Sequence, residues 1–269
     1  MKYAFMTFSC PDLTLDEALA LAARHGYDGL EPRLSDKQKH GVALEADAAA
    51  RQAIRKRAED SGIRLCCVAT SCRFADPNMV KEMVEEAIAC IDLAADVGSP
   101  RIRVFGGSIP KGVSRQQAGN MLVESLKFLS DKAEARDVTV CVETHDDWSD
   151  PTHMADVLAR VDHPFIMCNW DIMHPVRYTD IAMEEAFTTL KPWIRHVHFH
   201  DGKRDPEDRI KIQLAPIGEG FVDHRTAVKC LKQTGYDGYL SGEWINWETP
   251  YDEYLPRELA TMKQYEERA

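Results

Sequence analysis

Apolar residues alternate along the chain between short β-type runs and longer stretches with helical spacing. The short runs predict eight strands, at Tyr3–Phe8, Asp28–Pro32, Arg64–Ala69, Arg101–Phe105, Val138–Glu143, Phe165–Asp171, Ile194–Asp201 and Gly238–Glu243. The stretches between them predict helices, among them Leu15–His25, Ala46–Ser61, Asn78–Val97, Ser114–Arg136 and Ala182–Leu190. Strands separated by helices of this length pair in parallel through right-handed crossovers. Eight such units predict an α/β fold, a closed (β/α)8 TIM barrel.

Residues that begin and end helices stand where this pattern needs them. Thr14 precedes Asp16 and Glu17, which suits an N-cap followed by acidic residues at the positive end of the helix dipole. The phrases HGYDG at 25–29, DSGIR at 60–64 and TGYDG at 234–238 each place a glycine where a helix should stop. Because no low-complexity linker divides the chain, we expect residues 1–269 to form a single (β/α)8 barrel domain.

Length and charge narrow the classes of function. The chain has 269 residues, close to the ~250 of such a barrel. Its 33 Lys and Arg against 44 Asp and Glu give a net charge of −11, which argues against a nucleic-acid partner but not against a small anionic substrate. No apolar stretch approaches the ~20 residues of a membrane span, and no signal peptide is visible. We therefore expect a cytoplasmic enzyme with no membrane partner.

The eight cysteines do not form a recognisable zinc or disulfide pattern. Cys66 and Cys67 are adjacent, and Cys90, Cys141 and Cys168 lie inside apolar runs. The spacing lacks paired CxxC motifs, and the density is below that of a secreted disulfide scaffold. Reduced, buried thiols are the expected state.

Polar residues gather where the late predicted strands end, which is the edge that carries the active site in such barrels. These residues are Glu143 and His145 after strand five, Asp171 and His174 after strand six, His196, His198, His200 and Asp201 on strand seven, and Glu243 on strand eight. Each alone also suits a helix cap, a solvated edge or a hydrogen-bonded core histidine. Their coincidence at equivalent strand ends indicates one shared site.

Three carboxylates at one point repel one another and raise their own pKa values unless a cation lies between them. A divalent ion removes that penalty. Oxygen-rich sites with a single imidazole favour Mn²⁺, with Mg²⁺, Co²⁺ and Zn²⁺ as alternatives. The sequence thus predicts one divalent metal ion.

The segments ETH at 143–145, NWDIMH at 169–174, HVHFHD at 196–201 and PIGEGFVD at 216–223 follow one another in this order. With them the chain resembles, over essentially its whole length, the xylose isomerase-like superfamily of sugar and sugar phosphate isomerases and epimerases. The resemblance implies the metal ligands Glu143, Asp171, His198 and Glu243. It also implies that Glu143 and Glu243 move protons on a sugar-like carbonyl compound through an enediolate.

The ketose 3-epimerase branch places a substrate-contacting His three residues after the Asp ligand and an Arg six residues after the His ligand. His174 and Arg204 match these positions. A further carboxylate of that branch, six residues after the first Glu ligand, is replaced by Ser149, so the substrate does not carry over. We expect three more residues, Glu31, Arg33 and His145, to line the substrate pocket.

Two other functions remain open from the sequence. The same enediolate can expel a β-hydroxyl, which would make the protein a dehydratase or lyase acting on a keto-inositol, dehydroshikimate or a keto-glycoside. That reaction needs an acid over the leaving hydroxyl, for which His145, His200 and Glu31 are the candidates. A sugar-binding barrel without turnover is the alternative from another class. The sequence does not exclude a homo-oligomer. The net negative charge of the chain disfavours the DNA-binding endonuclease IV branch of the superfamily.

Overall fold

The computed structural model describes residues 1–35, 37–245 and 249–269. Its strands are β1 (Lys2–Met6), β2 (Gly29–Glu31), β3 (Arg64–Leu65), β4 (Val68–Arg73), β5 (Arg101–Phe105), β6 (Thr139–Glu143), β7 (Ile166–Asp171), β8 (Ile194–Phe199), β9 (Asp201–Arg204), β10 (Ile212–Ala215) and β11 (Tyr239–Gly242). Its helices are α1 (Leu15–His25), α2 (Ala48–Ser61), α3 (Val80–Val97), α4 (Arg115–Ala135), α5 (Pro151–Val161), α6 (Met173–Thr179), α7 (Met183–Leu190), α8 (His224–Gln233) and α9 (Tyr251–Arg268). None of these helices is both long and apolar enough to span a membrane.

Nine of the strands form one sheet with the order β3-β2-β1-β11-β8-β7-β6-β5-β4, and each pairing in it is parallel. The two end strands, β3 and β4, are successive parts of one predicted strand, interrupted only at Cys66 and Cys67. The sheet therefore returns to its starting point and is nearly closed into a barrel. This confirms the predicted TIM-barrel fold.

The seventh predicted strand ends earlier than expected, at Phe199, and the chain then forms the antiparallel hairpin β9–β10. The side chain of Asp201 explains the turn away from the barrel. Its carboxylate accepts hydrogen bonds from the backbone N–H groups of Gly218 (2.9 Å), Gly220 (2.8 Å) and Val222 (3.2 Å). These bonds fix the loop after β10 to the start of the hairpin, a long-range contact that strand periodicity does not reveal.

The helix boundaries follow the predicted caps. Thr14 and Glu17 form a reciprocal capping box at the start of α1. Gly26, Gly62 and Gly235 all have positive φ, between 71° and 80°, in the left-handed region that glycine adopts without steric cost. These helices consequently end where the sequence predicts, and the chain continues into the next strand.

The interior between the helices and the sheet is packed with apolar side chains. All eight cysteines are buried and unpaired. Burial raises the pKa of thiols such as Cys66 and Cys67 well above the ordinary value, which keeps them protonated and unreactive.

Candidate metal and substrate site

Strand pairing brings four side chains together at the carboxyl end of the barrel. In the parallel ladder, Asp171 on β7 is level with His198 on β8, which is level with Ser241 on β11. Glu143 closes β6, and Glu243 directly follows β11. Ligand-type atoms of the four residues Glu143, Asp171, His198 and Glu243 all lie within 4.8 Å of one another.

The atoms of this cluster fit a divalent cation. Nδ1 of His198 lies 3.2 Å from Oε2 of Glu243 and 3.6 Å from Oε1 of Glu143. His198 Nδ1 and Glu243 Oε2 are buried and make no well-aligned hydrogen bond. Buried polar atoms left in this state cost free energy, which a cation between them would offset. Three carboxylates and one imidazole are a donor set suited to Mn²⁺ or a similar ion.

The electrostatics of the cluster also favour positive charge. Burial disfavours the charged imidazole of His198, but Glu31, Glu143 and Glu243 outweigh burial and raise its pKa well above the ordinary value. Burial likewise opposes ionisation of Glu243, yet the charge of His198 lowers the pKa of Glu243 to about 2. The carboxylate of Glu243 thus remains ionised inside the barrel.

Asp171 is held by both of its oxygens. Oδ1 accepts the backbone N–H groups of Met173 (2.8 Å) and His174 (3.0 Å) at the start of α6. Oδ2 lies 2.7 Å from Nε2 of His200. Burial acts against ionisation, but the charges of His200 and His174 outweigh it and lower the pKa of Asp171. The residue is therefore both a helix cap and a member of the cluster, two roles that the sequence analysis treated as alternatives.

A buried arginine that the sequence analysis did not single out lies beside Glu143. Arg103 is 1% exposed, and its Nε is 3.0 Å from Oε2 of Glu143. Its Nη1 donates to the backbone oxygen of Thr70 (2.8 Å), and its guanidinium lies 4.0 Å from the ring centre of Phe105. A charged residue in the middle of the apolar run RIRVF was the signal, since charged side chains are almost never fully buried unless paired.

Glu31, one of the residues expected to line the substrate pocket, lies in the barrel wall against two histidines. The side chain is fully buried, and its two oxygens contact His196 Nε2 (2.8 Å), His198 Nε2 (3.1 Å) and Ser241 Oγ (2.6 Å). Burial opposes ionisation, but the charges of His196 and His198 hold the pKa of Glu31 well below its usual range. The reason for its position is that β2 ends at Glu31, which is level with Met6 of β1 in the barrel wall.

Two histidines at the rim have opposite protonation tendencies. The rings of His145 and His174 are 4.4 Å apart, and Nε2 of His174 lies 3.8 Å from Oδ2 of Asp171. Burial lowers the pKa of His174 to about 4, although Asp171 opposes it. For His145 burial acts in the same direction but is outweighed by Asp146, 3.1 Å away, and by Glu143, so its pKa rises to about 9. One imidazole is thus neutral and the other charged at pH 7.

Arg33 is close to the cluster but is bonded to neutral groups. Its Nη1 donates to the backbone oxygens of Leu34 (2.6 Å) and Ala69 (3.1 Å), and its Nη2 donates to the hydroxyl of Ser71. Burial lowers its pKa to about 10, with the charge of Glu243 acting in the opposite direction. The structure therefore places a partly buried cation near the carboxylates.

Arg204 is engaged away from the cluster. It donates to the backbone oxygens of Val176 (2.8 Å), Arg177 (3.3 Å) and Arg209 (3.0 Å), and lies 4.2 Å over the ring centre of Phe221. Two of these acceptors belong to the last turn of α6, where free carbonyls and the helix dipole attract a cation. The contacts tie the hairpin to the helix that carries His174.

A family model described as a xylose isomerase-like TIM barrel matches residues 19–265. The chain belongs to this family, as the site and the barrel together indicated. The proteins similar to this chain include an isomerase, an epimerase and a probable dehydratase.

Three similar proteins illustrate that range. Hydroxypyruvate isomerase of Escherichia coli (strain K12) is 22% identical over 191 residues, covering 65% of this chain and 70% of its own. D-psicose 3-epimerase from Clostridium cellulolyticum H10 superposes with a TM-score of 0.82 at 16% identity over 99% of both chains. A probable 3-DHS dehydratase involved in petrobactin synthesis from Bacillus anthracis has a TM-score of 0.79 at 18% identity, covering 98% of this chain and 99% of its own. At these identities the solved structures establish the fold.

Proposed function

We propose that this protein is a divalent-metal-dependent isomerase or epimerase that acts on a sugar-like carbonyl compound. The observation that carries the proposal is the convergence of Glu143, Asp171, His198 and Glu243 within 4.8 Å, with buried atoms on His198 and Glu243 that make no well-aligned hydrogen bond. These four residues would hold the cation, for which Mn²⁺ is the first choice. When bound, such an ion polarises a substrate carbonyl and lowers the pKa of the neighbouring C–H bond.

The two glutamates differ in exposure and in their partners, which supports giving them different roles. The side chain of Glu143 is 1% exposed and is paired with Arg103. The side chain of Glu243 is 11% exposed and lies nearer the open mouth. We assign to Glu243 the removal of the proton beside the carbonyl, which needs a carboxylate that the substrate can reach. Return of a proton to the opposite face of the same carbon gives an epimer, for which Glu143 would have to enter the turnover protonated. Return of the proton held by Glu243 to the adjacent carbon gives an isomer.

The rim residues hold the substrate by its oxygens. His174 presents a neutral imidazole next to Asp171, and His145 presents a charged one next to Glu143. Arg33 adds a cation nearby, which stabilises negative charge that develops on the substrate oxygen. This arrangement suits a hydroxylated carbonyl compound.

Elimination is the second candidate reaction, because the position of His145 favours it. Its imidazole lies at the rim between Glu143 and Asp146, within reach of the same point as His174. After Glu243 takes the proton beside the carbonyl, the C–O bond at the β-carbon breaks and the leaving oxygen takes a proton from His145. The products are an unsaturated carbonyl compound and water or an alcohol. A keto-inositol, dehydroshikimate or a keto-glycoside would undergo this reaction.

The deciding experiment incubates the Mn²⁺-loaded protein with each compound in D₂O. After the reaction the Mn²⁺ is chelated, and the products are identified by NMR. The panel contains ketoses, hydroxypyruvate, a keto-inositol, dehydroshikimate and a keto-glucoside. Deuterium beside the carbonyl with a changed configuration or a moved carbonyl supports the isomerase or epimerase. An unsaturated product supports elimination. Exchange with none of these compounds, although Mn²⁺ is bound, contradicts the proton-transfer proposal.

Two variants sharpen the experiment. Glu243→Gln should lose deuterium exchange in either reaction, whereas His145→Asn should keep exchange at the carbon and lose only elimination. A compound that binds both the parent protein and Glu243→Gln, with exchange in neither, would instead indicate a sugar-binding barrel.

A further inference from the structure

The two nitrogens of the His198 ring face opposite surroundings. Nδ1 points to the carboxylate cluster, 3.2 Å from Glu243 and 3.6 Å from Glu143. Nε2 points into the barrel and contacts Oε1 of Glu31 at 3.1 Å. Both His198 and Glu31 are fully buried, so water does not compete for either nitrogen.

An ionised carboxylate can only accept hydrogen bonds, so its partner nitrogen must carry a proton. The contact with Glu31 therefore places a proton on Nε2 of His198. Nδ1 also faces carboxylates, so a cation must displace the proton there in order to bind. The imidazole that remains has its proton on Nε2, next to Glu31, and its lone pair on Nδ1, the atom that faces the cluster. A carboxylate behind a ligating histidine fixes both the tautomer and the orientation of the ring.

We propose that Glu31 is a positioning residue that holds His198 ready to bind the cation through Nδ1. This inference rests on the proposed metal-dependent function and assigns to Glu31 a role different from substrate binding. Glu31 does not touch the substrate, because its oxygens are enclosed by the barrel wall.

Two further contacts hold Glu31 in place. Oε2 of Glu31 accepts from Ser241 Oγ at 2.6 Å and from His196 Nε2 at 2.8 Å. Ser241 is the residue directly level with His198 in the parallel pairing of β11 and β8. Residues from β2, β8 and β11 thus form one hydrogen-bonded layer under the cation site. His196, two residues before His198 on the same strand, is an orienting partner and not a ligand.

The test is the affinity of the protein for Mn²⁺ alone, measured by electron paramagnetic resonance of the free ion. Glu31→Gln keeps the size of the side chain but replaces a pure acceptor with an amide that also donates. The amide can donate to Nε2, which moves the ring proton to Nδ1 and blocks it. We expect the Kd for Mn²⁺ to increase by about 10- to 100-fold.

Glu258→Gln is the matched control. Glu258 is 1% exposed and accepts the backbone N–H of Ile217 at 2.8 Å, but it belongs to α9 and not to the cluster. Its variant should bind Mn²⁺ as the parent protein does, with a comparable change in thermal unfolding. Equal affinities for Glu31→Gln and Glu258→Gln would overturn the inference while leaving the metal-dependent function intact. Failure of the parent protein to bind Mn²⁺ would overturn both.

If Glu31→Gln does not fold, Ser241→Ala tests whether the contacts of Glu31 support Mn²⁺ binding. Removing the hydroxyl deprives Glu31 of one donor without changing any charge, and should weaken Mn²⁺ binding by less than about tenfold. Nitrogen-15 NMR of histidines in the Zn²⁺-treated protein gives a second readout. The proton of His198 should be on Nε2 in the parent protein and be redistributed toward Nδ1 in Glu31→Gln, and an unchanged His198 spectrum in that variant contradicts the inference.

Discussion

Arg103 and Glu143 form an ion pair in the barrel interior, with Nε 3.0 Å from Oε2 and with side chains 2% and 1% exposed. A carboxylate of the proposed metal site is thus balanced from below by a permanent cation. Taking both charges out of water is costly, and the pair is tolerated because each member compensates the other. Removal of one partner should consequently cost more than removal of both.

We expect Arg103→Met to lower the free energy of unfolding by about 3–5 kcal/mol, since it leaves the Glu143 carboxylate buried without its cation. Urea unfolding followed by circular dichroism measures the change. The double variant Arg103→Met/Glu143→Gln should recover part of the loss. If the two single changes simply add in the double variant, the ion pair does not couple them.

Addition of Mn²⁺ should stabilise the protein, because an ion that binds only the folded state shifts the folding equilibrium. At 100 times the Kd the gain is about 2.7 kcal/mol, which corresponds to a rise in Tm of roughly 5–10 °C for a chain of this size. Calorimetry with and without a chelator checks this. Asp171→Asn should lose the response, and a full response in that variant would argue against Asp171 as a ligand.

Glu243→Gln should slow hydrogen exchange on the substrate by at least about 100-fold, the usual contribution of a general base. The measurement is the rate of deuterium uptake beside the carbonyl at saturating substrate. Glu219→Gln, at an exposed glutamate paired with Lys203, is the control and should retain the parent rate. A rate near that of the parent for Glu243→Gln would assign the proton transfer to another residue.

Acid should destabilise the protein through His40, a buried histidine outside the cluster. Its Nε2 contacts the backbone oxygen of Arg33 (3.2 Å), its Nδ1 accepts from Val42 N (3.0 Å), and burial lowers its pKa to about 4. The unfolded chain binds this proton near pH 6.5 and the folded chain only near pH 4. Stability is therefore complete above pH 6.5 and declines between pH 6.5 and 4, by at most about 3 kcal/mol.

His40→Gln should flatten this part of the stability profile, because glutamine does not titrate. Urea unfolding at pH 7.5, 6 and 4.5 compares the two proteins. An equal acid-induced loss in the variant would show that other groups are responsible.

The sequence predicted the barrel because the signals for strands and for helix ends lie in short, continuous segments of the chain. The runs that form β5 and β6 carry strand periodicity, and Thr14 and Gly26 mark the ends of α1 by their own cap chemistry. The ends of β6, β7 and β8 also predicted which side chains would meet, since parallel strands share one edge. For Glu143 and Asp171, which close β6 and β7, knowledge of the strand boundaries was enough to bring them together. The choice of His198 among three histidines came from the family resemblance, because the predicted strand ran on to Asp201.

Long-range side-chain partners were not readable in this way. Glu31 and Ser241 are 210 positions apart in the chain, and only the closure of the barrel brings them into contact. In the sequence, Arg103 could be recognised only as a strand residue. Its pairing with Glu143 was not visible, because Glu143 belongs to a different strand. The contacts of Arg204 depend on where the hairpin β9–β10 packs against α6. Each of these positions is decided by packing between elements and not by a local pattern.

Residues of the proposed ion site lie on strands of the sheet, whereas residues at the mouth of the barrel lie in connecting segments. Glu143, Asp171 and His198 belong to strands whose backbones are bonded on both sides, whereas His145 and Arg204 lie in the connection after β6 and in the hairpin after β8. Connecting segments tolerate replacement far better than the sheet that carries them. Exchange within residues 145–150 and 202–215 for those of a relative, with the buried Trp148 and the loop anchor Asp201 retained, should therefore change which compound the mouth admits. The strands that carry Glu143, Asp171 and His198 would stay as they are.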